Sequence, residues 1–253
     1  MTGRGNNTYL LIGSSGEAAL IDAGVGEPRH VADLERQLGE HHAQLQRVLV
    51  THAHPDHASG APALGARHPA ARFQKALWPE EDRKYHVRWE SLFDGDQIAA
   101  GGEGLVALHT PGHAPDHLAF WHESSHTVFA GDLVIEGSSV MIEASRGGNL
   151  AQYLAALERI RALAPRRLLP AHGPEAADPV GLLTHYLEHR LLRERQVIAA
   201  LASGRETVQA IAESIYDGLA AALMPAAREN VRAHLEKLQA EGTAFEENGR
   251  WNT

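Results

Sequence analysis

The chain has 253 residues, 43% hydrophobic and 22% charged, the balance of a folded globular protein and not of a disordered one. No run approaches the roughly 20 apolar residues that cross a bilayer, which sets aside a membrane-spanning protein. Acidic residues number 32 against 23 basic, and the net charge of −9 is the wrong sign for tight, phosphate-driven binding of duplex nucleic acid. The opening Met1–Asn7 has no apolar core of a signal peptide, and the absence of cysteine fits a cytoplasmic setting while removing disulfides and thiolate ligands.

In chain order, residues 8–12 and 18–22 are short apolar runs split by Gly13-Ser14-Ser15-Gly16, a hairpin pattern. Residues 31–38 put Val31, Leu34 and Leu38 on one helical face. Residues 47–51 form a compact strand pattern that runs straight into a histidine cluster. Further strands are expected at 71–75, 105–110, 117–121, 127–130 and 167–170, with an amphipathic helix over 150–163. Near Pro179 the texture changes to Ala, Leu, Glu and Arg, with helices expected at 180–202, 207–215 and 225–241 and a short terminal hairpin over 243–251. Three helices and a hairpin suggest a winged helix, so the chain divides into residues 1–178 and 179–253.

Histidine is the unusual residue, with 17 copies. Four of the residues in His52-Ala53-His54-Pro55-Asp56-His57 can bind a metal, and so many polar side chains in one short stretch are costly to bury without partners. An extended H-x-H turns two imidazoles to one side, and the Asp-His pair then lies where a turn can aim it at a second ion. Nitrogen and oxygen donors without sulfur suit zinc, with iron or manganese as alternatives. Three later segments place a donor just past a short apolar run, beside glycine or proline: His113 in Thr110-Pro111-Gly112-His113, Asp132 in Phe129-Ala130-Gly131-Asp132, and His172 in Pro170-Ala171-His172-Gly173.

These four motifs, in this order, resemble the metallo-β-lactamase fold superfamily over essentially the whole chain, with Gly5-Asn6-Asn7-Thr8-Tyr9-Leu10 and Leu20-Ile21-Asp22-Ala23-Gly24 resembling its opening hairpin. The resemblance implies an α/β fold, a four-layer αβ/βα sandwich, with two Zn2+ ions at the edge of its sheets. It implies that His52, His54 and His113 hold one ion, that Asp56, His57 and His172 hold the other, and that Asp132 bridges them. Asp56 would also orient a metal-bridging hydroxide, the nucleophile. The tail, through His189-Arg190, Arg193-Glu194, Ile215-Tyr216 and Ala233-His234-Leu235-Glu236-Lys237-Leu238, resembles the beta-lactamase-like protein 2 branch, which appends a winged-helix-like domain. Animal members of that branch are described as ribonucleases of single-stranded RNA, and related thioesterases exist.

Three departures stand out. Only four residues precede Gly5, where the family has a further strand and loop. Leu133 follows Asp132, so no extra histidine is offered there, and the chain is too short for the large insert of the RNA-processing nucleases. Asp22 and Asp116 are expected to support the ligand loop or a metal histidine through hydrogen bonds. Trp78, Tyr85, His86 and Trp89 are read as core cover ahead of substrate rim. His30, His41, His42, His68, His122, His126, His185 and His189 lack ligand context. From Thr184 onward ten acidic residues face eight basic ones, so the tail reads as a packing or dimerisation wall beside the cleft ahead of a nucleic-acid arm.

The expected function is a dinuclear-zinc hydrolase of a small ester, thioester or amide. The alternatives are a single-stranded RNA endonuclease and, from a different class, a non-catalytic winged-helix regulator with a metal sensor. The partners carried are a small-molecule substrate, single-stranded RNA as the alternative, and a second copy of the chain; no membrane partner is expected.

Overall fold

The architecture is that of a computed structural model, which describes residues 5–253. The chain opens with the hairpin β1 (Tyr9–Ile12) and β2 (Glu17–Ile21). Helix α1 (Pro28–Glu40) starts where the Glu27 carboxylate accepts from His30 N, and Pro28 loses no bond in the first turn. It buries Val31, Leu34 and Leu38 and carries the chain to β3 (Gln44–Leu49), parallel to β2. Two short helices, α2 (Pro55–Ala58) and α3 (Ala61–Arg67), precede β4 (Arg72–Lys75); α4 (Pro79–Asp82) precedes β5 (Trp89–Ser91). These strands form one sheet in the order β1-β2-β3-β4-β5.

The second sheet contains β6 (Gln97–Ala100), β7 (Glu103–His109), β8 (Leu118–His122) and β9 (Thr127–Gly131). Helix α5 (Leu150–Ala162) then leads to β10 (Arg167–Pro170), parallel to β9, giving the order β10-β9-β8-β7-β6. Alternation along the strands builds the layers. In β2, Ala19 and Ile21 face the other sheet while Ala18 and Leu20 pack toward α1. In β8, Leu118 and Phe120 point between the sheets, and Ala119 and Trp121 point to α5. The result is a helix–sheet–sheet–helix sandwich.

The tail is α6 (Pro179–Ala202), α7 (Val208–Ile215), α8 (Met224–Ala240) and the hairpin β11 (Phe245–Glu247) and β12 (Arg250–Asn252). Helix α6 serves two cores. Its first half places Leu183, Tyr186 and Leu187 against α5, and its second half packs Val197, Ala200 and Leu201 against α7, α8 and Trp251. Among the described residues no helix is long and apolar enough to cross a membrane.

Several expectations shift by a residue or two. The strand expected over 47–51 ends at Leu49, so His52 and His54 lie in the loop beyond it and Asp56 and His57 in α2. Strands β5 and β6 escaped the sequence reading because they have three and four residues, too few to show a period. Helices α2 and α3 also went unread; each begins beside a proline, Pro55 or Pro62, and is under two turns long or close to it.

Candidate metal centre

The loops that leave the carboxyl ends of β2, β3, β7, β9 and β10 meet at one edge of the sandwich. Two glycines allow this closeness. Gly131, the last residue of β9, has φ +51°, and a Cβ there would stand 2.6 Å from His117 Nε2. At Gly112, φ is +136° and a Cβ would meet the Tyr153 backbone at 2.4 Å.

Seven side chains converge in three groups of donor atoms: His52, His54 and His113; His52, His57 and Asp132; Asp56, His57 and His172. His54 Nδ1 lies 2.9 Å from His52 Nε2 and 3.0 Å from His113 Nε2. Residue 54 is extended (φ −65°, ψ 148°), so the two imidazoles of His52 and His54 turn to one side although no strand continues there. Pro55 then starts α2, which swings Asp56 and His57 to the other half of the site. Asp132 spans both halves: Oδ2 is 3.4 Å from His113 Nε2, and Oδ1 is 3.3 Å from His172 Nε2 and 3.5 Å from His57 Nε2.

The far side of three rings is anchored. His113 Nδ1 meets the Met141 carbonyl at 2.9 Å, His172 Nδ1 meets the Gly5 carbonyl at 2.9 Å, and His57 Nδ1 meets Asp22 Oδ2 at 2.7 Å. Bonds on Nδ1 leave Nε2 facing inward, the arrangement a metal-binding imidazole requires.

The electrostatics differ across the site. Burial, reinforced by the neighbouring rings, pushes His52 well below its ordinary value and His54 down to about 3. Burial also disfavours charge on His57, but Asp22 and Asp132 outweigh it and hold this ring well above its usual value. For His172 the nearby carboxylates of Asp132 and Asp56 outweigh burial and lift it to about 10. Burial would raise Asp132, yet His57 and His172 keep it well below the carboxylate range. Asp56 moves down as well, against burial, through His172.

The supporting shell combines foreseen and unforeseen residues. Asp22 accepts from Thr51 N at 2.8 Å and from its hydroxyl, and also holds His57, so it braces both the ligand loop and a candidate ligand. Asp116 touches no candidate ligand ring. It accepts from Ala53 N at 2.8 Å, between His52 and His54, and pairs with fully buried Lys75 at 2.8 Å. Lys75 also meets Asp82 at 2.7 Å. Tyr85 donates to the Ala53 carbonyl at 2.7 Å, while Trp78 and Trp89 pack on the outer core and His86 is exposed.

The sequence reading missed His117, which is fully buried, is pushed by burial to about 3, and accepts from Asp132 N at 3.0 Å. Its place at the start of an expected strand gave no sign of that. The reading also missed the N-terminal segment, where Asn6 Nδ2 donates to the Asp56 carbonyl at 2.6 Å. None of the eight histidines set aside as lacking ligand context belongs to the three donor groups.

A cavity of about 500 Å³ opens over the candidate metal-binding side chains. Its walls include Ile135, Ser138, Ser139, Val140 and Met141 on one side and Leu223, Ala226 and Asn230 of the tail on the other.

The family model described as metallo-beta-lactamase superfamily matches residues 1–172, and that of the beta-lactamase associated winged helix domain matches residues 207–251. This chain belongs to the metallo-beta-lactamase superfamily. A "Beta-lactamase-like protein 2 homolog" of Drosophila melanogaster is 30% identical over 254 residues, spanning 96% of this chain and 85% of the relative. An "Atrochrysone carboxyl ACP thioesterase" of Aspergillus chevalieri is 32% identical, spanning 84% and 68%. A metallo-beta-lactamase family protein from Thermus thermophilus superposes with a TM-score of 0.80 at 25% identity, over 98% of this chain and 93% of that one.

The metallo-beta-lactamase fold implies a binuclear metal site, and the residues here fit one. Buried His57 Nε2 and Asp132 Oδ1 have no hydrogen-bond partner, a cost that a cation between them removes. His52, His54 and His113 crowd ring nitrogens around one point with no carboxylate among the three. The chain is a metal-dependent hydrolase of this superfamily.

Proposed function

We propose that this hydrolase works with two zinc ions and cleaves small acyl substrates: esters, thioesters or amides. One ion would sit among His52, His54 and His113, the other among Asp56, His57 and His172, with Asp132 shared. Seven nitrogen and oxygen donors suit zinc; iron and manganese accept the same donor types.

When bound, such a pair supplies an activated water and polarises the oxygen of the scissile group. The chain's own residues do the rest. Asp56, with its carboxylate 3.1 Å from His172 Nε2 and partly open to the cavity, holds the attacking water in line. Asp22, Met141 and Gly5 keep three rings in one orientation, so none must reorganise during turnover. Ile135, Val140, Met141, Leu223 and Ala226 form an apolar wall for an acyl chain.

The observation that carries the acyl reading is the cavity's charge. Among the described lining residues the one Lys or Arg is Arg146, and it already pairs with Glu143 at 3.2 Å. No track of cations for successive phosphates is offered. The resemblance of the tail favours the second reading, cleavage of single-stranded RNA. The regulator reading is disfavoured because α8, the third helix of the winged-helix unit, is turned inward: Ala233 packs in the sandwich core and Asn230 lines the cavity.

The test is a zinc-loaded chain assayed with a short acyl thioester and with labelled single-stranded RNA over a salt series, beside Asp132→Ala. Thioester turnover lost in the variant and flat with salt supports the proposal. RNA cleavage that falls steeply with salt and disappears in the variant transfers the function to RNA. Neither activity in the wild type overturns both.

A further inference from the structure

Arg190 of α6 is a buried guanidinium, 2% exposed. Its contacts are to neutral groups. Nη2 donates to the Val140 carbonyl and lies 3.5 Å from Ser139 Oγ, Nη1 donates to Asn230 Oδ1 at 2.9 Å, and Cζ stands 5.4 Å from the centre of the Tyr153 ring. One turn earlier, the Tyr186 hydroxyl meets Ile135 N at 2.9 Å, Ile135 O at 3.0 Å and Ser138 O at 2.9 Å. Helix α6 therefore grips the backbone of residues 135–140. The next carbonyl, that of Met141, is the one that receives His113 Nδ1.

We propose that Arg190, locked by Asn230 of the tail, is a positioning residue for the metal centre: it sets residues 138–141 so that the Met141 carbonyl fixes the His113 ring with Nε2 turned into the cavity. This rests on the dinuclear reading above. It gives the tail a role in the chemistry that needs no contact with substrate. A planar fork suits this task because one group satisfies a carbonyl and an amide oxygen in fixed directions while its face covers Tyr153. The influence is confined to one half of the site, because the other half takes its anchors from Asp22 and Gly5.

The experiment titrates the full, metal-free chain with cobalt(II) alone and follows the absorption bands, assigned to each half with His54→Ala and His172→Ala. Arg190→Met is expected to weaken the His54-dependent step by about tenfold to a hundredfold, the range for lost support of a metal ligand, and to shift its bands. The His172-dependent step stays as in the wild type, because its anchors, Asp22 and the Gly5 carbonyl, are untouched. Arg190→Lys, which keeps the charge and loses the fork, falls in between. Asn230→Ala repeats the effect more weakly and decides the matter if Arg190→Met does not fold. A folded variant that weakens both steps equally, or neither, overturns the assignment. A wild type that binds fewer than two cobalt ions breaks the dinuclear reading itself, whereas two bound ions with unchanged variants break the Arg190 inference alone.

Discussion

The two halves of the candidate metal centre are built on opposite electrostatic plans. His52, His54 and His113 gather imidazoles, and burial together with the neighbouring rings pushes His52 and His54 down, so these two offer lone pairs without a proton to displace. Asp56, His57 and His172 set carboxylates beside rings that hold their protons, with Asp22 and Asp132 behind them. In the second half imidazolium charge balances the carboxylates in the place where a metal ion would. His52 and His54 are ready for a cation, and the second half must trade protons for one.

Asp132 is where the two plans meet, since its two oxygens face opposite halves. Asp132→Ala removes that link and leaves His57 and His172 without their shared counter-charge. Turnover is expected to fall by about a thousandfold or more, on the scale of losing a preorganised charge at the reacting centre. Loss of only a few fold would mean that the halves act independently.

Asp22→Asn separates the halves more finely. Asp22 Oδ2 fixes the His57 Nδ1 proton, and an amide that turns its nitrogen to the ring cannot accept it. Metal affinity in the second half is expected to drop about tenfold to a hundredfold while the first half is unchanged. The Thr51 bonds to the same carboxylate add a stability loss, so affinity should be read at a temperature where both proteins are folded.

The comparison also has a pH signature. In the metal-free protein His172 holds its proton up to about 10, above its ordinary value of 6.5. A raised value of this kind contributes stability that is complete below the unfolded value and is lost as pH rises toward about 10. Metal uptake in the second half has the opposite slope, because each displaced proton makes binding about tenfold stronger per pH unit. Between about pH 7 and 9 the metal-free Tm should fall while second-half affinity climbs and first-half affinity stays nearly flat. Equal slopes in both halves would contradict the contrast drawn from the rings.

Much of this was legible in the sequence, for a physical reason. Metal donors must be specific residue types, and loops at strand ends must carry glycine or proline, so the histidine cluster and the segments around His113, Asp132 and His172 stand out one by one. Asp22 was legible too, as a carboxylate at a strand end. The rest was not, because it depends on contacts between distant parts of the chain. Nothing local marks His117 as the acceptor of Asp132 N, and nothing marks Gly5 as the anchor of His172, 167 positions away. Lys75 reads as an ordinary strand cation until the fold buries it between Asp82 and Asp116. The tail was expected to wall the cleft from its charge balance, but that α8 is the helix turned inward follows from packing along α6 and not from the winged-helix pattern.

The smallest effect expected lies in the brace of the ligand loop. Tyr85 Oη donates to the Ala53 carbonyl at 2.7 Å, and Asp116 accepts from Ala53 N at 2.8 Å, so the residue between His52 and His54 is held from both sides. Tyr85→Phe keeps the ring, its packing on Trp89 and the Asp116 bond, and removes one buried hydrogen bond. The expected cost is about 1–2 kcal/mol of stability, the usual range when a buried carbonyl loses its donor. Both halves flank this loop, yet the first half takes two of its three candidate ligands from it. A small rise in metal dissociation should therefore appear in the His52–His54–His113 half before the other. Measured by denaturant unfolding and cobalt titration, a loss above about 4 kcal/mol would show that the hydroxyl organises the loop itself. A loss near the expected range, with the first half alone loosened, leaves Asp116 as the stronger of the two braces.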